Sequence, residues 1–201
     1  ACLLVEGDGR RIITDPYSPK LMGFQPVTEP ADIVIRSSDD DLAHCFAEMI
    51  PGNPTVVTTT EIGPEGIQVN GLRIEAIPAK ESLIYKAEPG DNAMYKFTVE
   101  GVRVVHFGDV GNRLSDLQLE ALGTNDVWMV PTGGPPTIEL EDICEAIEKL
   151  KPRIVIPIHF KLPTANFKML EVTEFTRMFP EKNVKFVEGS EIQLTPDSLP
   201  K

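Results

Sequence analysis

Three apolar, strand-like runs in this chain each lead into a polar residue that can bind a metal or move a proton. Ala31-Asp32-Ile33-Val34-Ile35 runs through Arg36-Ser37-Ser38-Asp39-Asp40 to Asp41. Val102 to Phe107 runs through Gly108 to Asp109, and Arg153 to Ile156 runs through Pro157-Ile158 to His159. Loops at strand ends are where α/β folds assemble their sites, because the sheet fixes the positions of those loops. Singly, Asp109 also reads as a turn residue and His159 as a core histidine bonded to backbone. In order along one chain, the three point to a common rim.

The rest of the pattern supports a two-sheet body. Gly7-Asp8-Gly9, Asn70-Gly71 and Glu100-Gly101 each separate two short β-prone runs and read as hairpin turns. Further strands are predicted at residues 55–58, 127–130, 184–187 and 192–194. Helices are predicted at 42–49, at 115–122 with Ser115 as N-cap, at 140–150 and at 167–178. In the third of these, Leu140, Ile143, Cys144, Ile147 and Leu150 fall at helical spacing. Hairpins interspersed with helix–strand units predict an α/β fold with two sheets sandwiched between helices, as one domain over residues 1–201.

Composition narrows the function classes. A formal net charge of −12 disfavours nucleic acid as a partner, because phosphate binding needs clustered Lys and Arg. No apolar run approaches the ~18 residues of a membrane span, and no signal peptide opens the chain. The expected setting is therefore the cytoplasm, with no membrane partner. Cys2, Cys45 and Cys144 form no Cys-x-x-Cys pair, which argues against a structural zinc and for simple packing roles.

The strand-end residues carry a family resemblance. The chain resembles the metallo-β-lactamase superfamily, and within it the compact metal-dependent hydrolases related to ascorbate-6-phosphate lactonase. The resemblance rests on Ala1-Cys2-Leu3-Leu4-Val5-Glu6, Ile13-Thr14-Asp15-Pro16-Tyr17, Ala31-Asp32-Ile33-Val34, Ala76-Ile77-Pro78-Ala79, Phe107-Gly108-Asp109, and Lys151-Pro152 leading to Pro157-Ile158-His159-Phe160. It implies an αββα sandwich, two mixed sheets between helices, with a metal centre at one edge. The family opening includes a strand before the Ala1-Cys2 pair, so the resemblance also implies a first sheet lacking one edge partner.

The departures lie in the ligands. The superfamily's His-x-His-x-Asp-His motif supplies most of a two-zinc centre. Here its histidines fall at Ser37, Asp39 and Leu42, and only its aspartate is kept, as Asp41. A further family histidine falls at Glu81, while Asp109 matches the bridging aspartate and His159 the last histidine. The implied metal ligands are Asp39, Asp41, Glu81, Asp109 and His159, with Asp41 as the catalytic carboxylate. His44 lies out of register, and His106 reads as a packing residue.

This set is richer in oxygen than the family's, which shifts the expected divalent metal from Zn towards Mn, Mg or Ca. Crowded carboxylates need a cation, or salt bridges from Arg36 and Lys80, to stay ionised. Two readings follow. One is a metal-dependent hydrolase of a small-molecule ester, lactone or phosphoester, with a divergent, carboxylate-rich site. The other is a pseudoenzyme of the same fold that holds no metal and binds a ligand or partner through the same cleft.

Overall fold

Each of the three hairpin turns places two consecutive residues at positive φ: Asp8 and Gly9, Asn70 and Gly71, Glu100 and Gly101. That is the backbone of the two-residue turn whose twist matches its flanking strands. The computed structural model describes residues 1–39, 43–59, 62–63, 65–81, 91–163 and 168–200. The turns join β1 (Leu3–Gly7) to β2 (Arg10–Thr14), β5 (Ile67–Val69) to β6 (Leu72–Lys80), and β7 (Asp91–Val99) to β8 (Val102–His106), each pair antiparallel.

Two mixed sheets result. In the first, β1 and β2 are joined by β3 (Ala31–Ile35) and β4 (Gly52–Val57), in the order β1-β2-β3-β4, with β2, β3 and β4 mutually parallel. In the second, β9 (Val127–Pro131) and β10 (Ile154–Ile158) add in parallel beside β8, giving the order β10-β9-β8-β7-β6-β5.

Side-chain alternation along the strands sorts the apolar residues into layers. Ile12, Ile33 and Ile35 of the first sheet pack against Tyr95, Phe97, Val104 and Met129 of the second, forming the core between the sheets. The alternate residues Met94, Val105, Trp128 and Val130 face outward and are covered by α2 (Asp116–Leu122), α3 (Leu140–Leu150) and α4 (Val172–Thr176). On the other side, Ile13 and Val34 pack under Ala47 and Ile50. This is the sandwich that the pattern predicted. A further helix, α1 (Pro19–Met22), is a single turn. Among the described residues no helix is long and apolar enough to cross a membrane. The three cysteines are free thiols.

Four expected elements differ. The helix expected at 42–49 is only a 3₁₀ turn, Ala47–Met49, because Phe46 N–H donates to the carbonyl of Pro16 at 2.8 Å and holds the chain against the β2 loop. The helix expected at 167–178 is the short α4. Leu170 is held on both sides, its N–H donating to Gly133 O at 2.8 Å and its carbonyl accepting from Lys161 N–H at 2.9 Å, so no helix can form through it. The strands expected at 184–187 and 192–194 are absent. There Phe186 and Ile192 are exposed, at 75% and 49%, and find no sheet to cover. By contrast α2 begins at the predicted Ser115, in a capping box with Gln118.

Candidate metal centre at the strand ends

Strand direction brings the site together. β6 and β8 are both antiparallel to β7, so they run the same way as each other and as β9 and β10. Residues just beyond β6, β8 and β10 therefore share one edge, and these are Glu81, Asp109 and His159. The backbone then tightens the arrangement. Lys80 N–H donates to Asn112 Oδ1 at 2.8 Å, and Lys80 O accepts from Gly111 N–H at 2.7 Å. These bonds dock the end of β6 on the loop that carries Asp109. The two sheets are also tied across the rim: Ala93 N–H donates to Ser37 O at 2.9 Å and Tyr95 Oη–H to Arg36 O at 2.7 Å.

The centre of the cluster is one oxygen. Asp109 Oδ2 lies 3.2 Å from His159 Nε2 and 3.2 Å from His44 Nε2. His44 Nε2 is also 3.4 Å from Glu81 Oε1, and Ser38 Oγ donates to Glu81 Oε2 at 3.4 Å. His44, Glu81 and Asp109 are buried, at 3%, 5% and 6% exposure. The His159 side chain is 22% exposed and forms the open side. His159 sits at φ 47°, a left-handed conformation rare for a residue with a Cβ. Gly133 explains how it is held. Its α-carbon packs so closely on the His159 carbonyl that a Cβ there would overlap it.

Neighbouring charges shift the His44 imidazole and the Asp109 carboxyl in opposite directions. Burial disfavours a charged His44, but Asp109, Glu81 and the more distant Asp15 outweigh it and raise the imidazole from its usual 6.5 to about 9. Burial likewise opposes ionisation of Asp109, yet His159 and His44 hold its carboxyl well below the usual range.

A second buried network lies beneath. Asp15 follows β2 at φ 42° and is fully buried. Its Oδ1 accepts Ser37 N–H at 2.7 Å, while its Oδ2 accepts Ser37 Oγ–H at 3.0 Å and lies 2.6 Å from His106 Nε2. Burial again opposes the charge, and His106 overcomes it, keeping the Asp15 carboxyl far below its ordinary value. His106, expected as a packing residue, is thus the partner of a buried carboxylate.

The cluster fits a divalent cation. One ligand atom from each of His44, Glu81 and Asp109 lies within 4.8 Å of the others. The His44–Asp109 and His44–Glu81 separations of 3.2 and 3.4 Å match the spacing of about 3.3 Å between neighbouring ligand atoms around a tetrahedral ion with bonds of about 2.0 Å. Asp109 Oδ1 is buried with no hydrogen-bond partner among the described residues, which leaves lone pairs for a cation.

Residues 1–159 match the model of the β-lactamase superfamily domain. The chain belongs to the metallo-β-lactamase superfamily. A superfamily protein from Thermotoga maritima, provisionally named a Zn-dependent hydrolase, is similar in structure with a TM-score of 0.70 at 30% identity, over 89% of this chain and 81% of that one. A protein named a metal-dependent hydrolase from Thermoplasma acidophilum is 31% identical over 103 residues, 51% of this chain and only 46% of its own length. A Pyrococcus furiosus protein is 27% identical over 177 residues, 80% of each chain.

Of the residues expected from the superfamily's ligand motif, Glu81 and Asp109 fall in one compact group and His159 lies against Asp109. Asp39 goes elsewhere. Its Oδ1 pairs with Arg36 Nη2 at 3.0 Å and its Oδ2 accepts Thr59 Oγ1–H at 3.1 Å, so Arg36 draws it away from the cluster. Asp41 lies outside the described residues.

His44, read as out of register, is the residue the motif comparison missed. It restores an imidazole to the site, so the compact group of His44, Glu81 and Asp109, with His159 beside Asp109, is less oxygen-rich than expected. Spacing carried no signal for it. The one available hint was chemical: it is one of only three histidines, and it lies close to a motif position that had lost its own.

A polar groove of about 460 Å³ is lined by Arg10, Arg73, Lys96 and Arg103, at the opposite ends of the strands. Glu75 pairs with both Arg73 and Lys96, and Asp126 pairs with Arg103. Its cations are largely compensated, and it contains none of the metal-site residues.

Proposed function

We propose that this chain is a metal-dependent hydrolase of small-molecule esters, lactones or phosphoesters. The observation that carries the reading is the grouping of His44, Glu81 and Asp109, with His159 against Asp109. Relatives named as metal-dependent hydrolases support the same class.

His44, Glu81, Asp109 and His159 would hold the cation. Two imidazoles with two carboxylates suit Zn or Mn better than Mg or Ca, which favour all-oxygen sites. A divalent cation there supplies a Lewis acid that makes water a nucleophile near neutral pH.

The chain's own groups do the rest. Ser38 orients Glu81 through its Oε2, leaving Oε1 on the His44 side. The Asp15–His106–Ser37 network fixes the start of the loop after β3. Asp41, the carboxylate that matches the family's catalytic position, is the proposed acceptor of the proton released by water. The exposed edge of His159 marks the side from which substrate approaches.

The test is hydrolysis of bis-p-nitrophenyl phosphate and of aryl-ester and lactone probes, after chelation and reloading with Mn²⁺ or Zn²⁺. Activity that appears on reloading and disappears in Asp109→Ala and Asp41→Asn supports the reading. A reloaded protein inert towards every probe contradicts it.

A further inference from the structure

We propose that Asn92 is a further residue of the metal centre, a positioning residue whose carboxamide is reserved for a water molecule carried by the bound cation. The inference rests on the metal-dependent reading above and adds a residue to it.

Strand pairing sets its place. Tyr95 of β7 is paired with His106 of β8, and Asn92 and Asp109 each lie three residues further towards the rim of the site. On its other side Asn92 is paired with Ala79, two residues before Glu81. Asn92 therefore stands between the strands that deliver Glu81 and Asp109. The loop after β3 is tied to the same point. Ala93 N–H donates to Ser37 O at 2.9 Å, and Ser38, next along that loop, donates to Glu81. Gly108, immediately before Asp109, lies against both sides of this junction. A Cβ at position 108 would overlap the Ser37 side chain and come within 3.2 Å of Asn92 Nδ2.

The chemistry of the side chain is left unused by the fold. A carboxamide carries two donor hydrogens and an acceptor oxygen. The Asn92 side chain is 2% exposed, and neither Nδ2 nor Oδ1 has a hydrogen-bond partner among the described residues. Burying it in this way costs free energy that an apolar side chain of the same shape would not. On the neighbouring strand end, Asp109 Oδ1 is likewise buried and without a hydrogen-bond partner among the described residues. Buried polar groups left open at one junction are those that a ligand or a water completes. An amide N–H there can donate to a water on the cation and fix its orientation. A neutral side chain also suits the position, because it adds nothing to the negative charge of Glu81 and Asp109.

The experiment compares the wild-type chain with Asn92→Leu, which keeps the branched shape without the polar atoms, and with Asn92→Ala, which cannot overpack. Chelator-stripped full chains are titrated with Zn²⁺ in competition with a chromophoric chelator, and their urea unfolding is followed without metal. Affinity should fall by about 10-fold or more in both variants, the lower end of the loss seen when groups that support metal ligands are removed. Cation-free stability should be unchanged or higher in Asn92→Leu, and lower in Asn92→Ala, where a cavity is left.

Unchanged affinity in either folded variant overturns the proposal and leaves a metal-dependent hydrolase intact. Cation-free stability that falls at least as far in Asn92→Leu as in Asn92→Ala does the same, since the carboxamide would then be bonded within the fold. A wild-type chain that retains no Zn²⁺ overturns both readings.

Discussion

The imidazole of His44 reaches the carboxylate of Asp109 at 3.2 Å, Nε2 to Oδ2, and both side chains are buried. A cation-free chain can satisfy this contact as an ion pair, because His44 is raised to about 9 and Asp109 is held well below its usual range. A cation would take the place of the His44 proton. The same geometry therefore sets both the stability of the empty protein and its affinity for metal.

The pH dependence of the cation-free protein follows from these shifts. His44 is raised in the folded state, so its contribution is fully present below the ordinary value of 6.5 and is lost as pH rises through about 9. Asp109 is lowered, so its contribution is present above the ordinary 3.8 and is lost only as pH falls through its depressed folded value. Urea unfolding with chelator should show declining stability between pH 6.5 and 9. A flat profile over that interval would contradict the ion pair.

Metal affinity should move the opposite way over that interval. The cation competes with the His44 proton, so apparent affinity for Zn²⁺ or Mn²⁺ should climb with pH until about 9. Competition titration against a chromophoric chelator, corrected for the chelator's own protonation, measures this. Affinity that is independent of pH would mean that His44 is not displaced.

Removing the central carboxylate should be the most damaging change at the site. Asp109→Ala should abolish metal retention. In the cation-free protein His44 keeps its contact with Glu81, so a loss at the lower end of the ~3–5 kcal/mol typical of breaking a buried pair is expected. Metal analysis and chemical denaturation check the two effects separately.

How much of this could be read in the sequence divides along physical lines. The sheets were legible because alternation and the turn pairs Asp8-Gly9, Asn70-Gly71 and Glu100-Gly101 are local signals. So were Asp109 and His159, each following an apolar strand. His44 was not, because its approach to Asp109 depends on how the chain after β3 packs against the β2 loop through Phe46 and Pro16. Nor was the role of Asp15, since nothing local tells that His106 and Ser37 will close on it. The false strands at 184–187 and 192–194 arose from apolar runs that are exposed rather than paired.

The Asp15 network should matter for stability. Asp15→Ala strips partners from the Ser37 N–H, the Ser37 hydroxyl and His106, all buried. About 3–5 kcal/mol of destabilisation is expected. A loss under ~1 kcal/mol in denaturant titration would show that the network is dispensable.

Backbone crowding at position 133 offers a subtler handle. Gly133→Ala places a methyl against the His159 carbonyl and should push the imidazole away from Asp109. Metal affinity should fall by about 10-fold or more, the scale seen when groups that orient a ligand are lost. Asp39→Ala, on an exposed side chain paired with Arg36, should leave affinity unchanged. Calorimetric titration of the two variants side by side distinguishes a positioned ligand from a bystander.

The most direct measurement is anomalous diffraction from crystals of the chain loaded with Zn²⁺ or Mn²⁺. A peak within about 2.0–2.4 Å of ligand atoms from His44, Glu81, Asp109 and His159 is the predicted result. Well-diffracting crystals with no peak among these four side chains, or with a peak held by Asp39 instead, would contradict the account.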